Sequence, residues 1–317
     1  MKIVTWNVRG FNKVHKQKEM KIFLEKQKIN LIAIVEHRVQ NAKEKEVINK
    51  CAPGWSWCSN SKATERGRIW ILWDANSIQF TMLQSHTQYI HGIIKNNSSS
   101  KQFAFTAIYG LHTAAHMCDM LEELRKIDSQ MDSPWLLTGD FNAVLDKEDR
   151  VNGTEIQDNK IKDFRALMED CRLNELRTVG RTYTWTNNYV FSRIDRAIVN
   201  AHWMMNMPPL QVCVMDPHFS DHSPLCIEVE TGMEYKGRPF KFFNCFTEHP
   251  EFEEIIRSRW EKENSTMKDI WCNLKQIKEE MKRLNKREFS NTIKKVQQLR
   301  EELANIQARM RTTKHSS

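Results

Sequence analysis

Two polar side chains follow an apolar run near the middle of the chain, in the segment Trp135-Leu-Leu-Thr-Gly-Asp-Phe-Asn-Ala-Val144. The run is typical of a strand that is buried on both faces, and Gly139 is expected to end it. In extended backbone Asp140 and Asn142, two residues apart, would project to the same side. A carboxylate beside an amide suits the binding of a phosphate and its attacking water, although an Asx turn after the strand explains both residues equally well.

Other polar residues also stand where predicted strands end. Asn7 lies at the end of the β-branched run Ile3–Val8, and Glu36 directly follows the buried run Leu31–Val35. Tyr109 closes a further predicted strand. Because hard divalent cations take oxygen ligands, a second carboxylate at a strand end suggests a cation shared with the central segment.

A histidine and a further aspartate complete the set of reactive side chains. His222 lies in the polar loop Ser220-Asp-His-Ser-Pro224, and Asp195 lies in the unit Arg193-Ile-Asp-Arg196. An imidazole with an unperturbed pKa of ~6.5 exchanges protons near neutral pH, so His222 is the natural general base. Asp195 is the candidate that orients its ring. Taken singly, each residue is equally explained as a cap, a turn or a satisfied buried group, but together they supply what phosphodiester hydrolysis requires.

The first 231 residues contain both helical and strand patterns. Apolar residues at helical spacing predict helices at Lys16–Lys28, Ala115–Met131 and Asn159–Cys171. Short apolar runs without helices between them predict antiparallel strands, and a period-two pattern predicts a β-hairpin. The strands are Trp55–Cys58, Arg68–Trp73, Ile78–Leu83 and Gln102–Tyr109, and the hairpin joins Arg181–Thr186 to Ser192–Val199.

The composition changes after residue 231. Residues 232–317 hold 19 Lys/Arg against 13 Asp/Glu, an excess of six in a chain whose net charge is +8. Apolar residues at alternating spacings of four and three predict long amphipathic helices over Met267–Met310, either one coiled-coil-like rod or a helical hairpin. We therefore expect two domains, 1–231 and 232–317. The second is a basic helical extension that would assist DNA binding, self-associate or bind a helical partner through residues 267–310.

Cysteine usage and hydropathy bound the compartment. The eight cysteines are scattered, without the paired spacing of a zinc site, and no apolar run reaches the roughly 18 residues of a membrane span. The first residues lack the long apolar stretch of a signal peptide. These features predict an unsecreted intracellular protein with reduced thiols and no membrane partner, and a DNA partner would place it in the nucleus.

Six short motifs follow one another along the first 230 residues. They are Thr5-Trp-Asn-Val8, Val35-Glu36, Ile108-Tyr-Gly110, Thr138-Gly-Asp-Phe-Asn142, Ser192-Arg-Ile-Asp195 and Ser220-Asp-His-Ser-Pro224. In these motifs and their order the chain resembles the endonuclease/exonuclease/phosphatase superfamily over residues 1 to about 230, a superfamily that includes DNase I and the apurinic/apyrimidinic endonucleases. The resemblance implies an α/β fold, a four-layer DNase I-like β-sandwich with outer helices, and a site at the edge where the loops gather.

The resemblance also implies catalysis that depends on Mg²⁺, for which Mn²⁺ can substitute. Some members carry a carboxylate two residues after the asparagine of the first motif, where this chain has Arg9. Whether the site holds one metal ion or two therefore stays open, and Arg9 would contact the substrate phosphate in place of a second metal. The roles implied are Glu36 as metal ligand, Asn7 and Asp221 near the metal or phosphate, Asp140 on the water, Asn142 and Tyr109 on the phosphate, and His222 with Asp195 as the polarised pair.

Within the superfamily, the chain looks most like the endonuclease domain of plant LINE-type non-LTR retrotransposons. No reverse-transcriptase element follows, so we expect a truncated element product. The leading expectation is a Mg²⁺-dependent DNA endonuclease that leaves a 3′-hydroxyl. The alternatives are a phosphoesterase for RNA, nucleotides or phosphoinositides, and a non-catalytic remnant that binds a partner. The LINE similarity rests on Pro53-Gly-Trp-Ser-Trp57, Gly67-Arg-Ile-Trp-Ile-Leu-Trp73, Arg181-Thr-Tyr-Thr-Trp-Thr186 and the basic segment after residue 231, and the arginines beside Asp195 further favour nucleic acid.

Overall fold

The computed structural model describes residues 1–62, 68–99, 101–111, 114–153, 158–229, 247, 249–260, 267–284 and 287. The chain divides into two compact units, Met1–Glu234 and Tyr235–Ser317, and each is described by itself. Among the described helices, none is both long enough and apolar enough to cross a membrane. The expected division at residue 231 lies outside the described residues and stays a prediction.

The described part of the first unit contains sixteen strands and five α-helices. The strands are β1 Lys2–Asn7, β2 Leu31–Val35, β3 Ser56–Ser59, β4 Ile69–Trp73, β5 Ile78–Ser85, β6 Tyr89–Asn96, β7 Gln102–Tyr109, β8 Trp135–Asp140, β9 Arg150–Val151, β10 Asn174–Glu175, β11 Thr178–Gly180, β12 Trp185–Thr186, β13 Phe191–Ser192, β14 Asp195–Val199, β15 Val212–Val214 and β16 Leu225–Glu228. The helices are α1 Val14–Gln27, α2 Glu44–Cys51, α3 Ala114–Ser129, α4 Asp158–Asp170 and α5 Ala201–Asn206, with 3₁₀ turns at Asn41–Lys43 and Lys147–Asp149.

The strands form two large sheets and one small one. The seven-stranded sheet has the order β11-β15-β16-β1-β2-β4-β3, and the six-stranded sheet has the order β10-β14-β8-β7-β6-β5. A three-stranded sheet has the order β12-β13-β9. In each large sheet two central strands run parallel, β1 beside β2 and β7 beside β8. Because parallel neighbours end at the same edge, the residues that follow them come close together.

The two large sheets pack face to face, and helices cover their outer faces. In β7, Phe103 and Phe105 belong to the cluster between the sheets, whereas Ala104 and Ile108 face the outer cluster, as a period of two requires. Trp6 and the residues of α1 and α2 form the other outer cluster. The first unit is therefore a four-layer helix–sheet–sheet–helix sandwich, which confirms the predicted fold class.

The sequence predicted most elements of this unit to within two residues at each end. β2 begins and ends as predicted, and α1, α3 and α4 lie within two residues of the predicted helices. Several elements were not predicted, namely the helices α2 and α5, the strand β6 and the short strands β9, β10, β11 and β15. The α2 helix has only eight residues and no side-chain cap, and β6 is interrupted in hydropathy by His91-Gly92. Gly92 fits there because a Cβ atom would lie 2.3 Å from the Thr81 carbonyl oxygen of β5.

Two predicted strand arrangements were wrong in part. β3 and β4 pair antiparallel as expected, but β4 and β5 belong to different sheets and do not pair. The predicted hairpin is shorter, since only β12 and β13 pair. The returning strand divides because Thr184 Oγ1 accepts the backbone N–H groups of Ile194 and Asp195, after which β14 joins β8.

The described residues of the second unit form two helices, α6 Phe252–Arg259 and α7 Met267–Leu284. Ile277, Met281 and Leu284 of α7 pack against apolar residues of α6, while Leu274 is half-exposed. The predicted helix is therefore present as far as Leu284. Its predicted continuation from Ile293 to Met310 lies outside the described residues.

Gly139 does not end β8 as predicted but lies inside the strand, with a φ of +150°. A Cβ atom at this position would lie 2.0 Å from the carbonyl oxygen of Ile108 in β7. The absence of a side chain lets β7 and β8 approach closely enough to pair Tyr109 with Asp140.

We expect Gly139→Ala to lower the free energy of unfolding by about 2–5 kcal/mol, because overpacking against fixed backbone adds to backbone strain. Urea unfolding followed by tryptophan fluorescence measures the change. Gly54→Ala is the matched control, since Gly54 also has a positive φ but nothing lies within 4 Å of its added Cβ atom. Equal losses in the two variants would contradict the close approach of β7 and β8.

Candidate active site

One buried amide joins the two large sheets at the edge where their parallel strands end. Asn7, the last residue of β1, donates through Nδ2 to Glu36 Oε2 at 3.1 Å and to Asp140 Oδ2 at 2.8 Å. Glu36 follows β2 in the same sheet, whereas Asp140 ends β8 in the other sheet. The side chain of Asn7 is fully buried, and its Oδ1 atom has no hydrogen-bond partner among the described residues. An unpaired buried oxygen is costly in a folded protein and points to a ligand.

The predicted base and its carboxylate are in contact. His222 Nδ1 lies 2.9 Å from Asp195 Oδ2, and His222 Nε2 lies 3.9 Å from Asp140 Oδ2. All three side chains are buried. The loop is held to β1, because the Trp6 indole N–H donates to the His222 carbonyl oxygen at 2.8 Å. The three polar groups therefore form one compact cluster across β8, β14 and the loop before β16.

Burial and charge shift the pKa values of this cluster. Burial alone would lower the pKa of His222, but the carboxylates of Asp195 and Asp140 outweigh it and raise the pKa to about 9. Burial raises the pKa of Asp140 well above its usual range, and the charge of Asp195 raises it further. In the metal-free protein the imidazole is therefore protonated at neutral pH, and it compensates the charge of the two aspartates.

Asn142 occupies the site in a different way from the one expected. Its φ is +50°, so the backbone after β8 is left-handed rather than extended, and the predicted common projection of Asp140 and Asn142 was wrong. The Asn142 backbone N–H donates to Asp140 Oδ1 at 2.8 Å, which is the Asx turn. Its Nδ2 donates to the Gly110 carbonyl oxygen at 2.5 Å. The Asx turn and the functional cluster thus coexist in one segment.

Tyr109 lies beside Asp140 in the parallel register of β7 and β8. Burial raises the pKa of its hydroxyl, and the charges of Glu36 and Asp140 raise it further, so the phenol stays neutral. The guanidinium of Arg68 lies 5.6 Å from the centroid of its ring and hydrogen-bonds its hydroxyl. A neutral phenol in this position can donate a hydrogen bond to an anion.

Arginines contact the exposed side of Glu36. Glu36 Oε1 accepts from Arg38 Nη2 at 2.5 Å and from Arg38 Nε at 3.1 Å, and Arg9 Nε lies 3.7 Å away. Asp221 is one-third exposed, accepts from the Trp185 indole N–H at 3.3 Å, and reaches Arg9 Nη1 only at 4.0 Å. Asn7 therefore contacts Glu36 directly, whereas Asp221 is connected to Glu36 through the guanidinium of Arg9.

The oxygen donors around Asn7 suit a hard divalent cation. Glu36 and Asp140 supply carboxylate oxygens, and the Asn7 amide that joins them carries an Oδ1 atom without a hydrogen-bond partner among the described residues. A second donor set is Asp140, Asp195 and His222, whose ligand atoms lie within 4.8 Å of one another. In the second set, His222 Nδ1 is already hydrogen-bonded to Asp195 Oδ2. We therefore favour the first set, around Glu36, as the site of the cation.

The arginines beside Asp195, which favoured nucleic acid in the sequence, are occupied within the fold. Arg196 is buried and pairs with Glu175 at 2.8 Å and with Asp149. Arg193 pairs with Glu175 at 2.6 Å. These ion pairs connect β14 to neighbouring segments, so the two arginines have a structural explanation and no longer favour a nucleic-acid partner.

Sequence reasoning missed Arg38, Arg68, Thr184 and Trp185, which contact the predicted site residues. A signal was present for two of them. Arg38 lies two residues after Glu36, and Arg68 precedes a strand that pairs with β2. The contacts of Thr184 and Trp185 depend on the path of the short hairpin, which the sequence pattern did not predict.

The sequence of this chain matches a known protein family. Residues 4–222 match the Endonuclease/Exonuclease/phosphatase family. A curated relative, "Probable plastid-lipid-associated protein 14, chloroplastic" of Arabidopsis thaliana, is 26% identical over 151 residues, which are 44% of this chain and 21% of that protein. The chain therefore spans about a fifth of the length of the curated relative it matches.

Solved structures of low sequence identity share the fold. The endonuclease domain of TRAS1, a telomere-specific non-LTR retrotransposon, is similar with a TM-score of 0.57 and 14% sequence identity. The match covers 73% of this chain and 99% of the TRAS1 chain. The 3′ phosphatase NExo from Neisseria, bound to product DNA hairpin, has a TM-score of 0.55 at 17% identity over 73% and 99%. The AP endonuclease LMAP from Leishmania major has a TM-score of 0.53 at 14% identity over 71% and 86%.

We expect NMR titration of the metal-free protein to give His222 a pKa of about 9, and Asp195→Asn to lower that pKa. Because the folded-state pKa lies above the unfolded value of ~6.5, the stability that the pair contributes is present below that pH and is lost as the pH rises towards the folded-state pKa. Asp170→Asn on α4, which removes an exposed ion pair with Arg125, is the control. A His222 midpoint at or below the unfolded value in the wild-type protein would contradict the assigned coupling.

Proposed function

Because this chain belongs to the endonuclease/exonuclease/phosphatase family, we propose that it is a divalent-metal-dependent endonuclease that hydrolyses phosphodiesters of DNA and leaves a 3′-hydroxyl. The observation that carries the proposal is the buried Asn7 amide, which holds Glu36 and Asp140 together beside the hydrogen-bonded pair of His222 and Asp195. The cluster offers a metal-binding carboxylate, a water-aligning carboxylate and a polarised imidazole within one site.

The hydrogen bond between His222 and Asp195 and the raised pKa of His222 together suit this histidine to donate a proton. A protonated imidazole suits donation from Nε2 to a phosphoryl oxygen, where negative charge grows in the transition state, better than the role of base that the sequence suggested. Asp195 holds the ring through Nδ1. Asp140, whose raised pKa brings it closer to neutral pH, then takes the proton of the attacking water.

The phosphate would be held by neutral donors and by a cation. Tyr109 and the amide groups of Asn7 and Asn142 are the neutral groups, and Arg9 adds a positive charge at the exposed side. A divalent cation held by Glu36 and the free oxygen of Asn7 would neutralise charge on the phosphoryl oxygens and on the leaving 3′-oxygen. We propose Mg²⁺ as this cation, with Mn²⁺ as a substitute.

Several observations favour DNA as the substrate. The chain carries a net charge of +8, and the motifs that resemble plant LINE endonuclease domains lie within the first unit. The solved structures of similar fold include two endonucleases and one enzyme bound to a DNA product. The basic residues of 232–317 would add affinity for phosphates, or would mediate self-association or bind a helical partner through residues 267–310.

Purified protein is expected to nick supercoiled plasmid in Mg²⁺, and His222→Ala is expected to lower the rate by about 10²–10⁴-fold, because the donor to the phosphoryl oxygen is lost. Agarose gels resolve the nicked product, and end-labelled duplex shows which end carries the hydroxyl. His15→Ala on the exposed face of α1 is the matched control. Nicking that survives His222→Ala, or plasmid that stays intact with wild-type protein, would refute the proposal.

Direct Mn²⁺ binding tests the metal assignment without any substrate. Glu36→Gln is expected to weaken Mn²⁺ binding by about 10–100-fold, as for the loss of a charged ligand, when free Mn²⁺ is followed by electron paramagnetic resonance. Glu25→Gln on α1 removes an exposed charge and serves as control. If Asp195→Asn abolished binding while Glu36→Gln left it unchanged, the cation would belong to the cluster of Asp140, Asp195 and His222 instead.

A further inference from the structure

Two arginines that the proposed hydrolytic mechanism does not use contact the Glu36 and Tyr109 side of the site. Arg38 donates twice to Glu36 Oε1, and its side chain is 53% exposed. Arg68 lies with its guanidinium 5.6 Å from the centroid of the Tyr109 ring and hydrogen-bonds the hydroxyl of that residue. Both arginines therefore reach residues that the mechanism assigns to the metal and the phosphate.

Strand register brings these two arginines to one edge. β2 and β4 run antiparallel, and Val35 pairs with Ile69. Glu36 and Arg68 are the next residues outward on the two strands, so they face each other where the strands end. Arg38 then follows Glu36 by two residues, and its side chain turns back onto that carboxylate.

The backbone around Arg38 has unusual φ values, and the backbone at Arg68 is held by a buried asparagine. Glu36 and Arg38 have φ values of +53° and +56°, which side chains other than glycine adopt at a cost. Asn60 is fully buried, and its Oδ1 accepts the backbone N–H groups of Arg68 at 2.9 Å and of Ile69 at 3.0 Å. The left-handed backbone thus places Arg38 beside Glu36, and hydrogen bonds to Asn60 hold the backbone at Arg68.

Arg68 differs from the pair beside Asp195 in how its charge is compensated, whereas Arg38 is paired with the Glu36 carboxylate. Arg193 and Arg196 are held by the carboxylates of Glu175 and Asp149. Arg68, by contrast, makes no ion pair with a carboxylate in the part of the chain that the structure describes. A guanidinium carries five N–H donors in a planar fork that matches phosphate. Donors that are not used by Glu36 and Tyr109 stay available for an anion.

We propose that Arg38 and Arg68 form a second anion-binding site, which holds the phosphate next to the scissile one. This inference rests on the proposed function, since the first phosphate is the one that Asn7, Tyr109 and His222 would hold. It narrows the substrate class to chains with consecutive phosphodiesters. A molecule with a single phosphodiester fills only the first site and gains nothing from the second.

Substrate selectivity gives the first test. The double variant Arg38→Gln/Arg68→Gln is compared with wild type on duplex DNA and on bis(p-nitrophenyl) phosphate, which has one phosphodiester. The ratio of kcat/KM for DNA to kcat/KM for the small diester is expected to fall by about ten-fold or more, the effect of losing a charge-assisted contact. Arg68→Lys, which keeps the charge but loses the fork, should recover part of the ratio. An equal loss on both substrates overturns the proposal.

Binding without metal gives a test that is independent of turnover. Fluorescence anisotropy of a labelled DNA duplex is measured in EDTA over a series of salt concentrations. The slope of log K against log salt concentration is expected to be smaller in magnitude by about 0.9 in the double variant than in wild type, the value for the loss of one phosphate contact. Arg125→Gln, an exposed arginine of α3 paired with Asp170, is the matched control and should leave the slope unchanged. A slope in the double variant equal to that of the control overturns the second site. If wild type fails to nick DNA but the slope still falls, the proposed activity is wrong and the anion site stands.

Discussion

The hydrogen bonds of the Asn7 amide are the interaction on which the rest of the site depends. One NH₂ group reaches a carboxylate from each of the two large sheets, Glu36 of one and Asp140 of the other. Without a shared donor, two carboxylates on facing sheets would repel each other and leave the edge of the sandwich open. The parallel pairs β1–β2 and β7–β8 supply the geometry, because both pairs end at this edge.

Burial makes this arrangement both costly and useful. Asp140, Asp195 and His222 are all removed from water, so each charge must be compensated by its neighbours rather than by solvent. The imidazolium of His222 compensates the two aspartates, and the resulting pKa shifts keep one proton donor and one proton acceptor close together. Among the described residues the Oδ1 atom of Asn7 has no hydrogen-bond partner, and it belongs to the same amide that holds the two carboxylates.

Much of this could be predicted from the sequence, because the strands that carry the site are short, apolar and end in polar residues. The run before Glu36 and the run before Asp140 gave both strands and the position of their carboxylates. The Asx turn at Asn142 was one of the two interpretations that the sequence allowed, but the hydrogen bond from its Nδ2 to the carbonyl oxygen of Gly110, which follows β7, could not be predicted because the two residues are distant in sequence. The ion pairs of Arg193 and Arg196 could not be predicted either, because their partners Asp149 and Glu175 are distant in sequence.

The rate of plasmid nicking by Asn7→Ala tests the central claim most directly, because this substitution removes the bridge and leaves every other candidate residue in place. Under single-turnover conditions with saturating Mg²⁺, the account predicts a rate at least about 10²-fold below wild type, the loss expected for a positioned donor in a buried site. Circular dichroism and a cooperative urea transition would show that the variant is folded. A folded Asn7→Ala protein that nicks plasmid within a few-fold of the wild-type rate would contradict the account.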